Sequence, residues 1–369
     1  MRLISIDVLK DGMVLGRTIW NEAGHPLLKK GVVINERIIL RLQQLHTHYL
    51  YIDDEISKGI EVEDTVPQIV RNRAISTIKN SFQSLNGLNT ASASYVLDQK
   101  SKEIVSIVDE LLLAVTGSNE ILTVLADAYL FDEYLYQHSF QVTLYSIAIA
   151  KELGHSAEDL RIIGIGALLH DIGKIMVPKE IITKPGRLTH EEFETMKMHT
   201  RYGFDVLRNL HTISLLVAHC AFQHHERIDG SGYPRGLVDF EIHPFAKIIG
   251  VADVFDAVTT NRVYREKMLP SQGLAIVEAG SGTIYDPKIV NALKKAVVHY
   301  PNGAILKLSD GRRGIVSKQD SLDPILPWIR IFEENDELLP ATYEINLADY
   351  PTVFIVKVET DYLVPAAFE

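Results

Sequence analysis

The string Leu168-Leu169-His170-Asp171-Ile172-Gly173-Lys174 sets an imidazole beside a carboxylate inside an apolar run. A carboxylate buried there without a partner is costly, and a metal ion would neutralise it. A second pair, His224-His225, runs into the glycine-rich stretch that holds Gly232-Tyr233-Pro234, and Asp253 follows in VADVFDAV. With His138 and His199 these make seven candidate ligands: His138, His170, Asp171, His199, His224, His225 and Asp253. Imidazole and carboxylate suit Fe, Mn and Zn. Together the seven read as a buried multi-metal hydrolytic site. His138 alone would be ambiguous, whereas His155, His211 and His219 read as surface or ordinary core residues. The one cysteine, Cys220, lies among apolar neighbours and reads as core, so neither thiolate chemistry nor an internal disulfide framework is expected.

Helix bundles build metal sites from inward-facing side chains on separate helices, so ligands scattered along the chain are what such a site needs. All seven fall in residues 129–298, which read as strongly helical. Ser156-Ala-Glu-Asp159 and Thr189-His-Glu-Glu192 match capping boxes, Gly154 ends the helix that carries His138, and Asp286-Pro287 opens the last helix. Residues 58–128 read as a helical connecting region. Ile75, Ile78, Phe82 and Leu85 share one helical stripe, and Ile104, Ile107, Val108 and Leu111 share another. The segment NGLNTASAS is expected as a loop between them. These helices either pack on each other or pair with a second chain as a homodimer.

Residues 1–57 read as a small β-rich module. Short alternating runs break at Asp11-Gly12 and Ala23-Gly24, and Asn35 is placed to cap a helix over 35–45. Residues 299–369 return to β character with a turn at Asp310-Gly311, as a barrel-like or sandwich module. The expected fold is mainly α: a helical bundle flanked by small β-rich N- and C-terminal modules. The 369 residues are 46% apolar, enough for a sizeable core, and the net charge of −11 argues against a nucleic-acid polymer as partner. The N-terminal MRLISIDVLKDGM lacks the layout of a signal peptide, and no run reaches the ~18 apolar residues of a membrane span. A soluble, cytoplasmic protein is expected.

At the level of strings, residues 129–298 resemble an HD-GYP domain, the branch of the HD superfamily known as cyclic di-GMP phosphodiesterases. The strings are DEYLYQHSF, ALLHDIGKIMVPKEIITKPGRLT, MKMHTRYGFDVL, HHERIDGSGYPRG and VADVFDAVTTNRVYR, in the family's order. The resemblance implies an HD-superfamily bundle that hydrolyses cyclic di-GMP to pGpG or GMP. It implies that His138, His170, Asp171 and Asp253 are the ligands shared across the superfamily, and that His199, His224 and His225 are those of the HD-GYP branch. It further implies that Asp171 bridges two metals, Fe or Mn, and that Lys174 is the lysine of the family's HDxGK motif. Tyr233 would lie near the substrate, and Arg262 and Arg265 would hold the cyclic dinucleotide. Some family members carry a Glu four residues before the first His and bind a third metal; Tyr134 stands there, so two metals are expected. The chain reads Asn261-Arg262-Val263-Tyr264-Arg265 where the family often has Asp-Arg-Pro-Tyr-Arg, with both arginines kept. A diguanylate cyclase (GGDEF) partner is an expectation by analogy alone.

Several roles stay open at this level. Asp171 and Lys174 are the catalytic candidates. Two metals ~3.5–4 Å apart would orient a phosphate oxygen and acidify an attacking water. Lys174, at i+4 from His170, either neutralises phosphate charge, protonates the leaving oxygen or is a solvated helix-end lysine. Asp256, grouped with the substrate contacts, either supports a ligand, orients a basic residue or caps local structure. Tyr233 either stacks on a base or only closes its loop over the metals. Arg262 and Arg265 either grip phosphate, stack on guanine or are plain surface charge. Glu226 is a candidate for orienting a ligand imidazole. Three functions compete: a cyclic di-GMP hydrolase, an enzyme for another substrate such as cyclic GMP-AMP, and a non-catalytic cyclic di-GMP receptor.

Overall fold

The computed structural model describes residues 1–20, 25–45, 47–62, 64–117, 134–184, 186–260, 268–320, 323 and 325–363. It divides into two compact units. One takes in both ends of the chain, up to Asp64 and again from Val298; the other begins at Thr65 and ends at Val297.

In the terminal unit, β1 (Arg2–Ser5), β2 (Val14–Leu15) and β5 (Tyr49–Asp53) form an antiparallel sheet in the order β1-β5-β2, and β3 (Ile19–Trp20) pairs with β4 (Pro26–Leu28). Helix α1 (Glu36–Gln44) starts where expected, because the Asn35 side chain accepts from the Ile38 amide at 2.9 Å. The C-terminal strands β6 (Ile305–Leu308), β7 (Arg312–Lys318), β8 (Trp328–Glu334), β9 (Glu337–Asn346) and β10 (Ile355–Val358) make one open antiparallel sheet in the order β10-β6-β7-β8-β9. This is neither the barrel nor the sandwich expected, since β9 and β10 remain its two edges among the described residues. Gly311, at φ +89°, makes the β6–β7 turn at Asp310-Gly311.

The two outer β segments, expected as separate modules, share a unit. Leu3 donates its amide to the Gly303 carbonyl at 2.8 Å and Ser5 donates to Thr360 at 2.7 Å. Ile56 and Ile60 are buried in one cluster with Ile305, Ile315 and Phe332. Neither segment alone covers those side chains, and contacts so distant in sequence leave no local signal.

The other unit is helical: α2 (Gln68–Gln83), α3 (Thr90–Gly117), α4 (Tyr134–Glu152), α5 (Ala157–Leu169), the short α6 (Lys179–Ile182), α7 (His190–Leu207), α8 (Leu215–Gln223), α9 (Pro244–Thr259), α10 (Pro270–Ala279) and α11 (Pro287–Ala296). The stripes foreseen in α2 and α3 are buried. The loop between them is shorter than expected. Asn89 caps α3 by accepting from the Ser92 amide, and Ala93 and Ser94 are buried, with the Ser94 hydroxyl donating to Val206 of α7. Small side chains here serve close helix packing rather than a loop. Thr189 and Glu192 make the full reciprocal capping box of α7, whereas at α5 only the Ser156 side chain accepts, from the Asp159 amide. Helix α4 packs against both α5 and α9, and α8 against α5, α7 and α9.

Candidate metal centre and adjoining cleft

Helix α5 stops at Leu169, and the chain then tightens into a 3₁₀ turn over Ile172–Met176. His170 and Asp171 lie at that junction and are almost wholly buried. The turn lies directly against α7: a Cβ on Gly173 would sit 1.9 Å from the His199 carbonyl oxygen, so only glycine permits the approach. That contact sets His199 opposite Asp171, with Nε2 3.4 Å from Oδ1. At the end of α8, His224 Nε2 lies 3.9 Å from the same oxygen and 3.4 Å from His199 Nε2. Helix α9 also meets the end of α8 closely, for a Cβ on Gly250 would sit 2.5 Å from the His224 carbonyl oxygen. One turn later Asp253 comes within 3.0 Å of His138 Nε2 on α4 and 3.7 Å of His225 Nδ1.

Two groups of donors result. Asp171, His199, His224 and His225 form one; His138, His170 and Asp171 form the other, and within each the donor atoms lie within 4.8 Å of one another. Asp171 belongs to both. Its Oδ2 faces His170 Nε2 at 3.3 Å and His138 Nε2 at 3.7 Å, while its Oδ1 faces His199 and His224. His170 Nε2 and Asp171 Oδ1 are buried and have no hydrogen-bond partner. Such orphaned lone pairs are expensive unless a cation takes them up, so the residues present fit metal ions.

The opposite ring nitrogens are tied down. His170 Nδ1 lies 2.6 Å from the Ala167 carbonyl, His199 Nδ1 2.7 Å from Met196 and His224 Nδ1 3.0 Å from Ala221. Each of these rings donates through Nδ1, which leaves Nε2 as a lone pair aimed into the centre. His138 Nδ1 lies 2.6 Å from Asp256 Oδ2, and Asp256 Oδ1 accepts from Thr260 at 2.8 Å. Asp256 is completely buried behind His138. Grouped with the substrate contacts in the sequence, Asp256 is placed by the structure against His138 Nδ1 and the Thr260 hydroxyl.

Burial holds His199 down to about 4 and His225 to about 3, and burial together with the neighbouring imidazoles holds His224 well below its ordinary value. His138 differs. Burial opposes its charge, but Asp253 and Asp256 outweigh that and raise it to about 9. Burial also opposes ionisation of Asp171 and Asp253, yet Lys174 and His170 around the first, and His138 beside the second, keep both carboxylates well below the usual range.

Lys174 Nζ lies 2.5 Å from Asp171 Oδ2. The 3₁₀ turn makes Asp171, three residues back, its partner, rather than His170 one α-helical turn back. Glu226 does not orient an imidazole. Its carboxylate is buried and accepts from the amides of Arg235 at 2.8 Å and Leu237 at 2.9 Å, which pins the Gly232-Tyr233-Pro234 loop. Tyr233 donates its amide to the His225 carbonyl, and its ring lies 4.6 Å from the His225 ring. Arg262 and Arg265 lie outside the described residues. His155, His211 and His219 are in neither donor group.

A cleft of about 260 Å³ opens beside His224 and His225, lined further by Phe193, Lys197, Arg227, Tyr233 and Tyr285. Sequence reasoning missed Lys197 and Arg227. The available signal was their spacing, two residues before His199 and two after His225.

Comparison with known proteins adds to this geometry. The family model for the HD domain matches residues 125–289. A cyclic di-GMP phosphodiesterase of Pseudomonas aeruginosa is 28% identical, across 94% of this chain and 88% of that protein. One of Thermotoga maritima is 38% identical, across 66% and 65%. A 3'3'-cGAMP-specific phosphodiesterase of Vibrio cholerae is 33% identical, across 77% and 62%. Among solved structures, an HDG"Y"P protein from Bdellovibrio bacteriovorus aligns over 79% of this chain and 97% of that one, at 17% identity and a TM-score of 0.47.

Proposed function

We propose that this chain, whose residues 125–289 match the HD-domain family model, belongs to the HD-GYP branch of the HD-domain phosphohydrolases and hydrolyses cyclic di-GMP to pGpG or GMP with two divalent metals, Fe or Mn. The observation that carries this reading is the pair of buried donor groups that share Asp171, with its Oδ1 and His170 Nε2 otherwise unpartnered. His138, His170, Asp171 and Asp253 would hold one ion, and Asp171, His199, His224 and His225 the other. Donors that are all nitrogen and oxygen favour Fe or Mn over thiophilic metals. When bound, the metals supply Lewis-acid charge to the phosphodiester and acidify the attacking water.

The side chains do the rest. Asp256, Ala167, Met196 and Ala221 fix the ligand rings so that each presents one lone pair. Lys174, part-exposed at the edge of the centre, places an ammonium within reach of phosphate or of the leaving ribose oxygen. The loop held by Glu226 keeps Tyr233 over His225, walling the cleft against water. Arg262 and Arg265 are proposed phosphate contacts.

A second reading keeps the same chemistry on cyclic GMP-AMP, as the Vibrio cholerae relative's name says of that protein. The connecting helices α2 and α3 are proposed to support a homodimer, and a diguanylate cyclase (GGDEF) protein is a proposed partner. Among the described residues no helix is long and apolar enough to cross a membrane. A buried lone cysteine fits a reducing compartment, and the cytoplasm is the proposed location.

The test is anaerobic reconstitution with Mn(II) or Fe(II), a count of bound metal, and chromatography of the products from cyclic di-GMP and cyclic GMP-AMP. Turnover of the first to pGpG or GMP with about two metals per chain is the expected result. A metal-loaded protein that binds cyclic di-GMP without cleaving it would make this chain a receptor.

A further inference from the structure

The cleft beside His225 differs from its surroundings. On a chain of net charge −11 it brings Lys197, Arg227 and Lys247 together with three aromatic rings. Its two lining carboxylates are already engaged, Glu226 by backbone amides and Asp286 by the Lys288 amide and Lys247. Phe193 is 44% exposed although it is apolar, and it stands in the cleft wall at 6.1 Å from Tyr233. Lys197 Nζ lies 5.3 Å from the Phe193 ring and 5.8 Å from that of Tyr233, and it also pairs with Glu194. Arg227 is exposed at the mouth, and its charge is felt by the hydroxyls of both Tyr233 and Tyr285. No described carboxylate forms an ion pair with Arg227. Glu226, next to it, is taken up by the amides of Arg235 and Leu237.

We propose that this cleft is a guanine subsite: one base of the substrate stacks on Phe193 and Tyr233, and Arg227 reads its O6 and N7 edge. The inference rests on the functional reading above and specifies which part of the substrate is recognised, and by what. Aromatic faces stack any base, so they give affinity without identity. Identity comes from the guanidinium. Guanine offers two adjacent acceptors on that edge, whereas adenine puts an amino donor where guanine has O6, so a cation is matched by one and opposed by the other. Size agrees. A cleft of about 260 Å³ falls below the ~300–1,000 Å³ of sites that enclose a drug-sized ligand, so it takes one nucleoside half and not the whole ring. The subsite therefore admits any cyclic dinucleotide with at least one guanine and disfavours one with two adenines.

The experiment is equilibrium binding of GMP and of AMP to the Mn-loaded full chain by calorimetry. It is run on the wild type, Arg227→Ala and Phe193→Ala, with cyclic di-GMP turnover of the wild type measured on the same preparation. The wild type is expected to prefer GMP over AMP by about 10-fold or more, in line with one bidentate contact to guanine. Arg227→Ala should bring the two nucleotides to near equality. Phe193→Ala should weaken both and keep their ratio. Metal content and thermal unfolding identify any variant that fails to fold, and the wild-type ratio decides the matter if one does. Equal binding of GMP and AMP by the wild type overturns the subsite, whether or not cyclic di-GMP is cleaved. A clear GMP preference without cleavage leaves the subsite standing and overturns the hydrolase.

Discussion

At the scale of single residues, Asp171 is the shared element. Asp171→Asn should cost both metals, whereas a ligand from one group should cost mainly its own ion; metal counts on the two kinds of variant separate these outcomes. His170→Ala combined with Asp171→Ala should remove metal and hydrolysis together. Lys174→Ala should load metal normally and lose about 10²-fold in kcat, the lower end for a positioned proton donor. Asp256→Asn should weaken metal affinity by about 10–100-fold and leave KM untouched, because it acts only behind His138. A changed KM would return Asp256 to the substrate pocket. The pH behaviour of the metal-free protein follows from the same residues. His199 and His225, at about 4 and about 3 when folded against 6.5 when unfolded, withdraw stability as pH falls below 6.5. His138, at about 9, contributes stability that is complete below 6.5 and lost as pH rises through 9. Thermal midpoints in chelator should peak near pH 6.5, and His138→Gln should flatten the alkaline limb. The seven candidate residues stood out in the sequence because His-Asp and His-His pairs in apolar helices have few other uses, and the structure brings six of them into two donor groups with Asp253 beside His138 and His225. The cleft cations were not legible there, and neither were the choice among the open roles of Asp256 and the partner of Glu226, since each depends on a partner distant in sequence or through space.

At the scale of elements, the centre depends on how closely the turn after α5 approaches α7 and how closely α9 approaches the end of α8. Gly173 is the tightest point, where any side chain strikes backbone of α7. Gly173→Ala should destabilise the fold by about 1–3 kcal/mol or more, as overpacking does, and lower metal occupancy with it. An unchanged thermal midpoint would show the turn free to move. Thr189→Ala removes one half of the α7 capping box and should cost about 1 kcal/mol while leaving the metal count alone. Helix positions and caps were readable because they are local signals: Asn35, Thr189 and Asp286 all cap where expected. The 3₁₀ turn after His170 was not, because its cause is the close passage of α7.

At the scale of the whole molecule, the chain folds into a helical unit that carries both donor groups and a β-rich unit made from both ends. A ligand that binds only the folded state stabilises that state by mass action, about 2.7 kcal/mol at a hundredfold excess over Kd. Calorimetry should therefore resolve two transitions, with Mn(II) raising one and leaving the other in place. A single transition that moves as a whole would mean that the units melt together. The shared terminal unit was beyond sequence reading, as its evidence lies in pairings such as Leu3 with Gly303.

His138 and Asp253 lie 3.0 Å apart, yet they are separated by three other helices that also supply ligands. During synthesis the first is made long before the second. A nascent chain that has produced α4 through α8 holds the histidines but not the carboxylate of α9, and its α8 has no α9 to lie against. Full metal affinity is thus withheld from unfinished chains. A stalled or truncated product would be a poor scavenger of metal ions, which confines metal-dependent chemistry to molecules whose folding is complete.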